Sequence, residues 1–371
     1  MPPRTKGSFG AGLVRCFFRM PRWEAEMAAF SFVKSLDGSP VDVPESTRRG
    51  VYSALRERSP GLIQEHNQPG VWASLSGPLG DLTVSDGNLL LCDGAPETVG
   101  GTGGRYLIQE LVRGGTAFGG TDVGGDLDFG VQPLQSVVGS FAACYHDGLT
   151  GEVILIRDRL GTRPLFFAEW EGRLLVASEC KALQALGLPL EVDPFALREA
   201  LIYRWVTGEA CLLAPAVRVP EAHVVRIRLG HRPLPRRYWR LRVEPEPLDD
   251  GAFVRYQDEV EIALRTCLGR VGLGSRRVGL LLSGGVDSSI LAALGREELD
   301  SCVAYSGWIE GFNNVEFERA RTVAGHLGVE FRAVAIDSGV FRHDLPYIVR
   351  RIEELPRHLN NLGNLCTSRF Q

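Results

Sequence analysis

One run constrains this chain more than any other: Arg277-Val278-Gly279-Leu280-Leu281-Leu282, followed directly by Ser283-Gly284-Gly285-Val286-Asp287-Ser288-Ser289-Ile290-Leu291. A short apolar segment of strand character enters a glycine pair, and a helical pattern opens immediately behind it. A strand end, a tight turn and a helix start in that order aim several backbone N–H groups at one spot. The positive end of the helix adds to them, so the run reads as an anion site. Two glycines let the backbone approach a phosphate closely. Ser283, Ser288 and Ser289 bring hydroxyl donors, and Asp287 can help hold a magnesium ion. No Gly-Lys-Ser/Thr ending follows, so no lysine reaches the terminal phosphates as it does in the Walker loop.

The surroundings fit a strand–turn–helix. Residues 252–268 read as an amphipathic helix, 277–282 as a short buried strand, and Ser288 to Glu297 as a helix. Ser301 to Ser306 follows as a strand, Val315 to Leu327 as a helix and Phe331 to Ile336 as a strand. A further helical pattern begins at Leu345 and runs to Glu354. Strands and helices in alternation imply a parallel sheet with crossover helices. The first half has another character. Residues 27–187 are rich in glycine turns, with strands expected at Val138 to Tyr145, Val153 to Arg157 and Leu174 to Ser178 in a β-rich layer. Gly114 to Gly130 reads as a glycine-laden acidic loop holding Asp122, Asp126 and Asp128. Residues 191–206 read as a helix with Phe195, Leu197, Leu201 and Ile202 apolar. Pro233, Pro235, Pro245 and Pro247 mark residues 230–251 as a linker.

At 371 residues the chain has room for about two domains. A net charge of -4 argues against a general nucleic-acid binder, and no apolar run approaches the roughly 18 residues of a membrane span. The eight cysteines are scattered with no Cys-x-x-Cys pair. That spacing suits neither a disulfide scaffold nor a zinc site and fits a reduced, cytoplasmic protein. Residues 1–22 carry Arg4, Lys6, Arg15, Arg19 and Arg22 and no acid. They read as a targeting segment or an extension ahead of the fold.

Ser283 to Ser288 resembles the Ser-Gly-Gly-x-Asp-Ser signature of the N-type ATP pyrophosphatases, which cleave ATP between the α and β phosphates. Over about residues 27–371 the chain resembles glutamine-dependent asparagine synthetase and its relative β-lactam synthetase. The segments that carry the resemblance are Gly139-Ser140-Phe141-Ala142, Arg157 to Leu165, Ala177 to Leu183, Arg237-Tyr238-Trp239, Glu318 to Gly328 and Ser368-Arg369. The resemblance implies an α/β protein. Residues 27–239 would form a layered α+β glutaminase-like domain of the N-terminal-nucleophile type and 240–252 a linker. Residues 253–371 would form an incomplete parallel-sheet ATP pyrophosphatase domain, with 1–26 outside the fold. In such proteins a carboxylate (aspartate or an analogue) is adenylated by ATP with Mg2+. Ammonia or an amine then gives an amide, AMP and pyrophosphate. The residues matching the ATP site are Leu281, Ser283, Gly284, Gly285, Asp287, Ser288 and Gly307, the last placed just after its strand where backbone meets adenine, with Asp287 on the metal. Glu353 matches a family glutamate ahead of the substrate pocket. Glu316 and Glu318 read as a solvated helix face, and His326 and His358 as surface or packing residues.

Two departures stand out. The family start, Met-Cys-Gly-Ile followed by Asp-Gly-x-Pro-Val, becomes Met27-Ala28-Ala29-Phe30 and then Asp37-Gly38-Ser39-Pro40-Val41. Ala28 therefore occupies the place of the nucleophile, and a methyl group cannot attack glutamine. Arg-Gly-Pro-Asp becomes Arg58-Ser59-Pro60-Gly61, and Asn-Gly-Glu becomes Asp93-Gly94-Ala95, so Arg58 alone remains of the glutamine pocket. Cys16, in its arginine-rich setting without a following Gly-Ile, is a poor displaced nucleophile. The family's second motif, Ser-Gly-x-Gly-x-Asp-Glu, has no counterpart before Gln371, which suggests a fragment, a disrupted reading frame or half of a split enzyme. The expected protein partner is a separate C-terminal half or a second copy in a homo-oligomer. Three functions are carried forward. They are an asparagine synthetase-like ligase without glutaminase activity, a β-lactam synthetase-like cyclase, and a non-catalytic remnant or partner subunit. Leu213 to Val224 and Arg237-Tyr238-Trp239 follow the first pattern better than the second.

Overall fold

Phe30 and Phe32 project from the first strand into one apolar layer, and Ala29 and Val33 project into another. A strand covered on both faces loses the alternation of apolar and polar residues that betrays a half-exposed one. The computed structural model describes residues 28–353 apart from 60, 79, 99–100, 108–131, 244, 246–248 and 273–277. The Gly114–Gly130 loop, Cys16, His358, Ser368-Arg369 and the extension 1–26 lie outside the described residues. The chain divides into two compact units. One comprises 24–242 with 351–355, and the other includes 243–350.

The first unit begins with β1 (Ala29–Ser35), α1 (Glu45–Arg58), β2 (Ile63–Gln68), β3 (Val71–Ser76), β4 (Gly80–Ser85) and β5 (Asn88–Gly94). Next come β6 (Phe141–His146), β7 (Val153–Arg157), β8 (Phe166–Trp170), β9 (Arg173–Ala177), α2 (Cys180–Ala185) and α3 (Pro194–Tyr203). β10 (Val217–Arg218), β11 (His223–Ile227) and β12 (Leu234–Arg237) complete it. Two six-stranded sheets result, in the orders β10-β8-β9-β1-β3-β2 and β12-β11-β7-β6-β5-β4. Their pairings are antiparallel, with Phe32 opposite Val176 on one side and Ala73 on the other. Phe30, Phe32, Leu75, Leu89, Leu91, Leu155, Phe167 and Val176 fill the space between the sheets. Val51, Ala54 and Leu55 of α1 and Ala182 and Leu183 of α2 cover the outer face of the first sheet. Leu107, Leu134, Val137 and Tyr238 cover that of the second. The unit is thus a layered α+β sandwich.

β6 starts at Phe141 rather than Val138. Gly139 has φ +101°, and a Cβ there would come within 2.5 Å of the Ala95 carbonyl oxygen, so the chain must turn before the ladder begins. At the far end of β6, Lys34 Nζ donates to His146 Nε2 at 3.5 Å. Burial and the neighbouring Lys34 charge lower His146 to about 4, against a smaller opposing effect of Asp147. The unfolded chain takes up this proton near pH 6.5 and the folded one near 4. Between those values the unfolded state binds more protons, so stability falls as pH falls through the window. Thermal melts between pH 7 and 4 should show this decline, and His146→Gln should flatten it. An unchanged slope in the variant would refute the assignment.

In the second unit, α4 (Asp250–Gly272) precedes β13 (Val278–Leu281), α5 (Val286–Glu298), β14 (Cys302–Ile309), α6 (Val315–Leu327), β15 (Glu330–Ile336) and α7 (Ser338–Ile352). The strands form a parallel sheet in the order β13-β14-β15. Leu282, Ala292, Ala304, Ala320, Ala324 and Val329 make its core. Arg265 of α4 bridges to Glu297 and Glu298 of α5 at 2.9 and 2.5 Å. Three expectations need correction. β13 is only half-buried, with Leu281 44% exposed, because among the described residues it lies at the edge of the sheet and pairs with β14. β14 runs on to Ile309, so Gly307 lies within it, opposite Val334. α7 begins at Ser338, seven residues before the expected start, and continues through Pro346. Among the described residues no helix is long and apolar enough to cross a membrane.

Candidate functional sites

The Ser283–Ser289 turn lies where the sequence places it, between a strand end and a helix start. Leu282 N–H donates to the Tyr305 carbonyl at 2.8 Å, fixing the strand end against β14. Gly285 caps α5. Gly284 has φ +74°, and its added Cβ would meet Arg319 Cβ at 2.5 Å and Ala320 N at 2.6 Å. Only glycine permits both the left-handed turn and this approach to α6. Ser283 Oγ and Ser288 Oγ share a hydrogen bond of 3.1 Å, and Ser289 Oγ donates to the Gly285 carbonyl at 2.7 Å. The loop is thereby held by its own hydroxyls. The N–H groups of Val286, Asp287 and Ser288, in the first turn, have no acceptor within the helix. Ser283, Gly285 and Asp287 are exposed. Leu281 pairs with Tyr305 and Gly307 follows two residues on, so both sit with the loop at the carboxyl edge of the sheet. Open α/β sheets bind their ligands along that edge. Glu316 and Glu318 are exposed on α6, as expected of a solvated face.

Asp287 suits a magnesium ion on a polyphosphate. It is an exposed carboxylate in the first turn, beside backbone donors that would take the phosphates, and Mg2+ favours one or two carboxylates plus phosphate oxygens. Among the described residues no cluster of three or more His, Cys, Asp or Glu could hold a metal by itself.

A second constellation lies in the sandwich. Ala28 is fully buried, and its N–H donates to Asp93 Oδ1 at 3.3 Å. Arg58 Nη2 reaches Asp93 Oδ2 at 3.1 Å, and its Nη1 reaches Glu179 Oε1 at 2.6 Å. Arg163 Nη1 approaches Asp93 Oδ1 at 3.5 Å. Lys181 pairs with Glu179 and, at 3.2 Å, with Glu353. The Glu353 carboxylate accepts from the N–H groups of Cys180 and Lys181 at 2.7 and 2.8 Å. Burial pushes the Asp93 carboxyl up, while Arg58 and Arg163 pull it back. Burial disfavours the Arg58 charge, yet Asp93 and Glu179 outweigh it and hold the guanidinium protonated.

Arg58 is therefore committed to two carboxylates of the protein, and only its Nε lacks a partner. The arrangement contains buried charge but no nucleophile at position 28. Sequence reading found Ala28, Arg58 and Glu353 singly. It missed Arg163, Glu179 and Lys181 as members of one network, although Arg157–Leu165 and Ala177–Leu183 were the segments that carried the resemblance.

Residues 127–239 match the glutamine amidotransferase domain family, and residues 259–360 match the asparagine synthase family. A Mycobacterium tuberculosis protein named for glutamine-hydrolysing asparagine synthetase is 29% identical over 232 residues, covering 61% of this chain and 35% of that protein. The glutamine-hydrolysing asparagine synthetase of Pongo abelii is 31% identical over 229 residues, covering 56% and 37%. Asparagine synthetase 1 of Bacillus subtilis is 25% identical over 203 residues, covering 53% and 31%. The chain spans about a third of the length of these relatives. One chain therefore carries a glutamine amidotransferase match in its sandwich and an asparagine synthase match around its parallel sheet. The chain is thus similar to glutamine-hydrolysing asparagine synthetases in both of its halves.

Proposed function

We propose that the chain serves an ATP-dependent, AMP-forming amide ligase of the asparagine synthetase type, working without hydrolysis of glutamine. The observation that carries this reading is the Ser283–Ser289 loop at the carboxyl edge of the sheet, shaped by Gly284 against α6. Backbone N–H groups and the Ser283 and Ser288 hydroxyls receive the β and γ phosphates. Leu281 and Gly307 flank the adenosine. Asp287 would hold Mg2+, which when bound neutralises charge on the departing pyrophosphate. The substrate is a small carboxylate, aspartate or an analogue, and free ammonia or an amine supplies nitrogen. Residues 27–239 form the glutaminase-like domain, 240–252 the linker and 253–371 the synthetase-like part, with 1–26 an extension ahead of them, in a cytoplasmic protein.

Nucleotide products test the reaction type. With ATP, magnesium, ammonia and 18O-labelled aspartate, the nucleotide formed should be AMP carrying one labelled oxygen, alongside pyrophosphate. ADP and phosphate would overturn the reading. Glutamine incubated with the protein should release no ammonia above the buffer rate. Ala28→Cys alone should not restore release, because Asp93 and Glu179 still occupy Arg58. Glutaminase activity in the parent chain would remove this part of the proposal.

A further inference from the structure

Cys180 opens α2, and Cys211 lies just ahead of the two-residue strand Leu213–Ala214. Their sulfurs are 3.5 Å apart across 31 residues of sequence. They are 8% and 5% exposed, and both line a cavity of about 130 Å³ that also touches Arg58, Arg218 and Glu353. That volume exceeds the roughly 30 Å³ share of one liquid water, so it has room for a molecule the size of hydrogen peroxide. Sulfurs already in contact need a rotation of side chains, with little backbone movement, to reach the bond length of about 2.05 Å. We propose that Cys180 and Cys211 form a modification site for hydrogen peroxide, at which the two thiols are oxidised to a disulfide tying α2 to the segment before Leu213.

The pair is chemically asymmetric. The Cys180 S–H donates to the Cys211 sulfur, which brings Cys211 down to about 7, helped by the Leu213 backbone and Arg218 and opposed by burial. Cys180 moves up, as the donor in that bond and through burial. Cys211 is thus the first nucleophile, because the thiolate is the reactive form. Its sulfur attacks one peroxide oxygen, the O–O bond breaks, and the displaced hydroxide leaves as water with the Cys211 proton. The Cys211 sulfenic acid is then attacked by the Cys180 sulfur. The S–S bond forms, the S–O bond breaks, and the second hydroxide leaves as water with the Cys180 proton. Two electrons pass from the sulfurs to the peroxide, which is reduced to two waters.

Closing a loop of this length removes entropy from the unfolded chain, so the oxidised protein should melt about 5–10 °C higher. The test uses the full reduced chain, treated with hydrogen peroxide, alkylated and digested without reductant. The expected product is a cross-linked peptide pair containing Cys180 and Cys211, lighter than the two thiol peptides by two hydrogens and separated by dithiothreitol. Cys211→Ser and Cys180→Ser should each abolish the cross-link and the gain in Tm. Recovery of both cysteines as separate alkylated peptides, at a dose that oxidises the exposed Cys267, would overturn the proposal. So would conversion of either to a sulfinic acid with no cross-link.

Discussion

Gly284→Val should lower the affinity for a non-hydrolysable ATP analogue at least 100-fold, about 2.7 kcal/mol of binding free energy. The cause is steric and local. The new Cβ would lie 2.5 Å from Arg319 Cβ and 2.6 Å from Ala320 N, at a residue whose φ is +74°. To relieve the contact the loop must swing away from α6, and the N–H groups of Val286, Asp287 and Ser288 then no longer converge. Asp287→Ala separates the loop's shape from its charge. It leaves the turn intact, so circular dichroism and Tm should match the parent, while the magnesium-dependent part of the binding disappears. Calorimetry with and without magnesium checks both variants. Parent-like nucleotide binding in both would remove the loop from the ATP site.

Asp93→Ala should destabilise the sandwich by roughly 3–5 kcal/mol, because it leaves Arg58 and Arg163 buried with less compensating charge. In a unit of this size that corresponds to a Tm lower by roughly 10 °C. Adding Arg58→Leu to Asp93→Ala should recover part of the loss, since an apolar side chain needs no counter-charge. A double variant less stable than Asp93→Ala would mean that Arg58 contributes packing the ion pairs do not explain. The comparison also bears on the proposed lack of glutaminase activity, which rests on the same ion pairs at Arg58.

The synthetase-like half was the more legible in sequence. Val315–Leu327 is a helix with the bounds expected of it, because Gly328 supplies a left-handed stop, and the Ser283–Ser289 turn announces itself by its two glycines. α7 starts ahead of the expected Leu345 and carries Pro346 in its interior, where a proline is ordinarily disfavoured. In the other half, β3 reads Val-Trp-Ala-Ser-Leu-Ser and is buried throughout, so no alternation exposes it. β2 reads Ile-Gln-Glu-His-Asn-Gln and has the composition of a loop. The charge network was illegible for a different reason. Its members come from α1, β5, the turn before β8, the approach to α2 and the segment after α7, and no local pattern relates them.

Glu353 joins Cys180 across 173 residues of chain, and that separation has a temporal meaning. Ribosomes add roughly 5–20 residues per second, so about 10–35 s pass between synthesis of α2 and synthesis of the carboxylate that receives its first two N–H groups. For that interval water serves those groups, and Lys181 has Glu179 as its acidic neighbour. The sandwich strands, all encoded before residue 238, have time to pair before Glu353 exists. During manufacture, then, the nascent chain passes through a stage in which the sheets are assembled and the fastening of α2 has still to arrive.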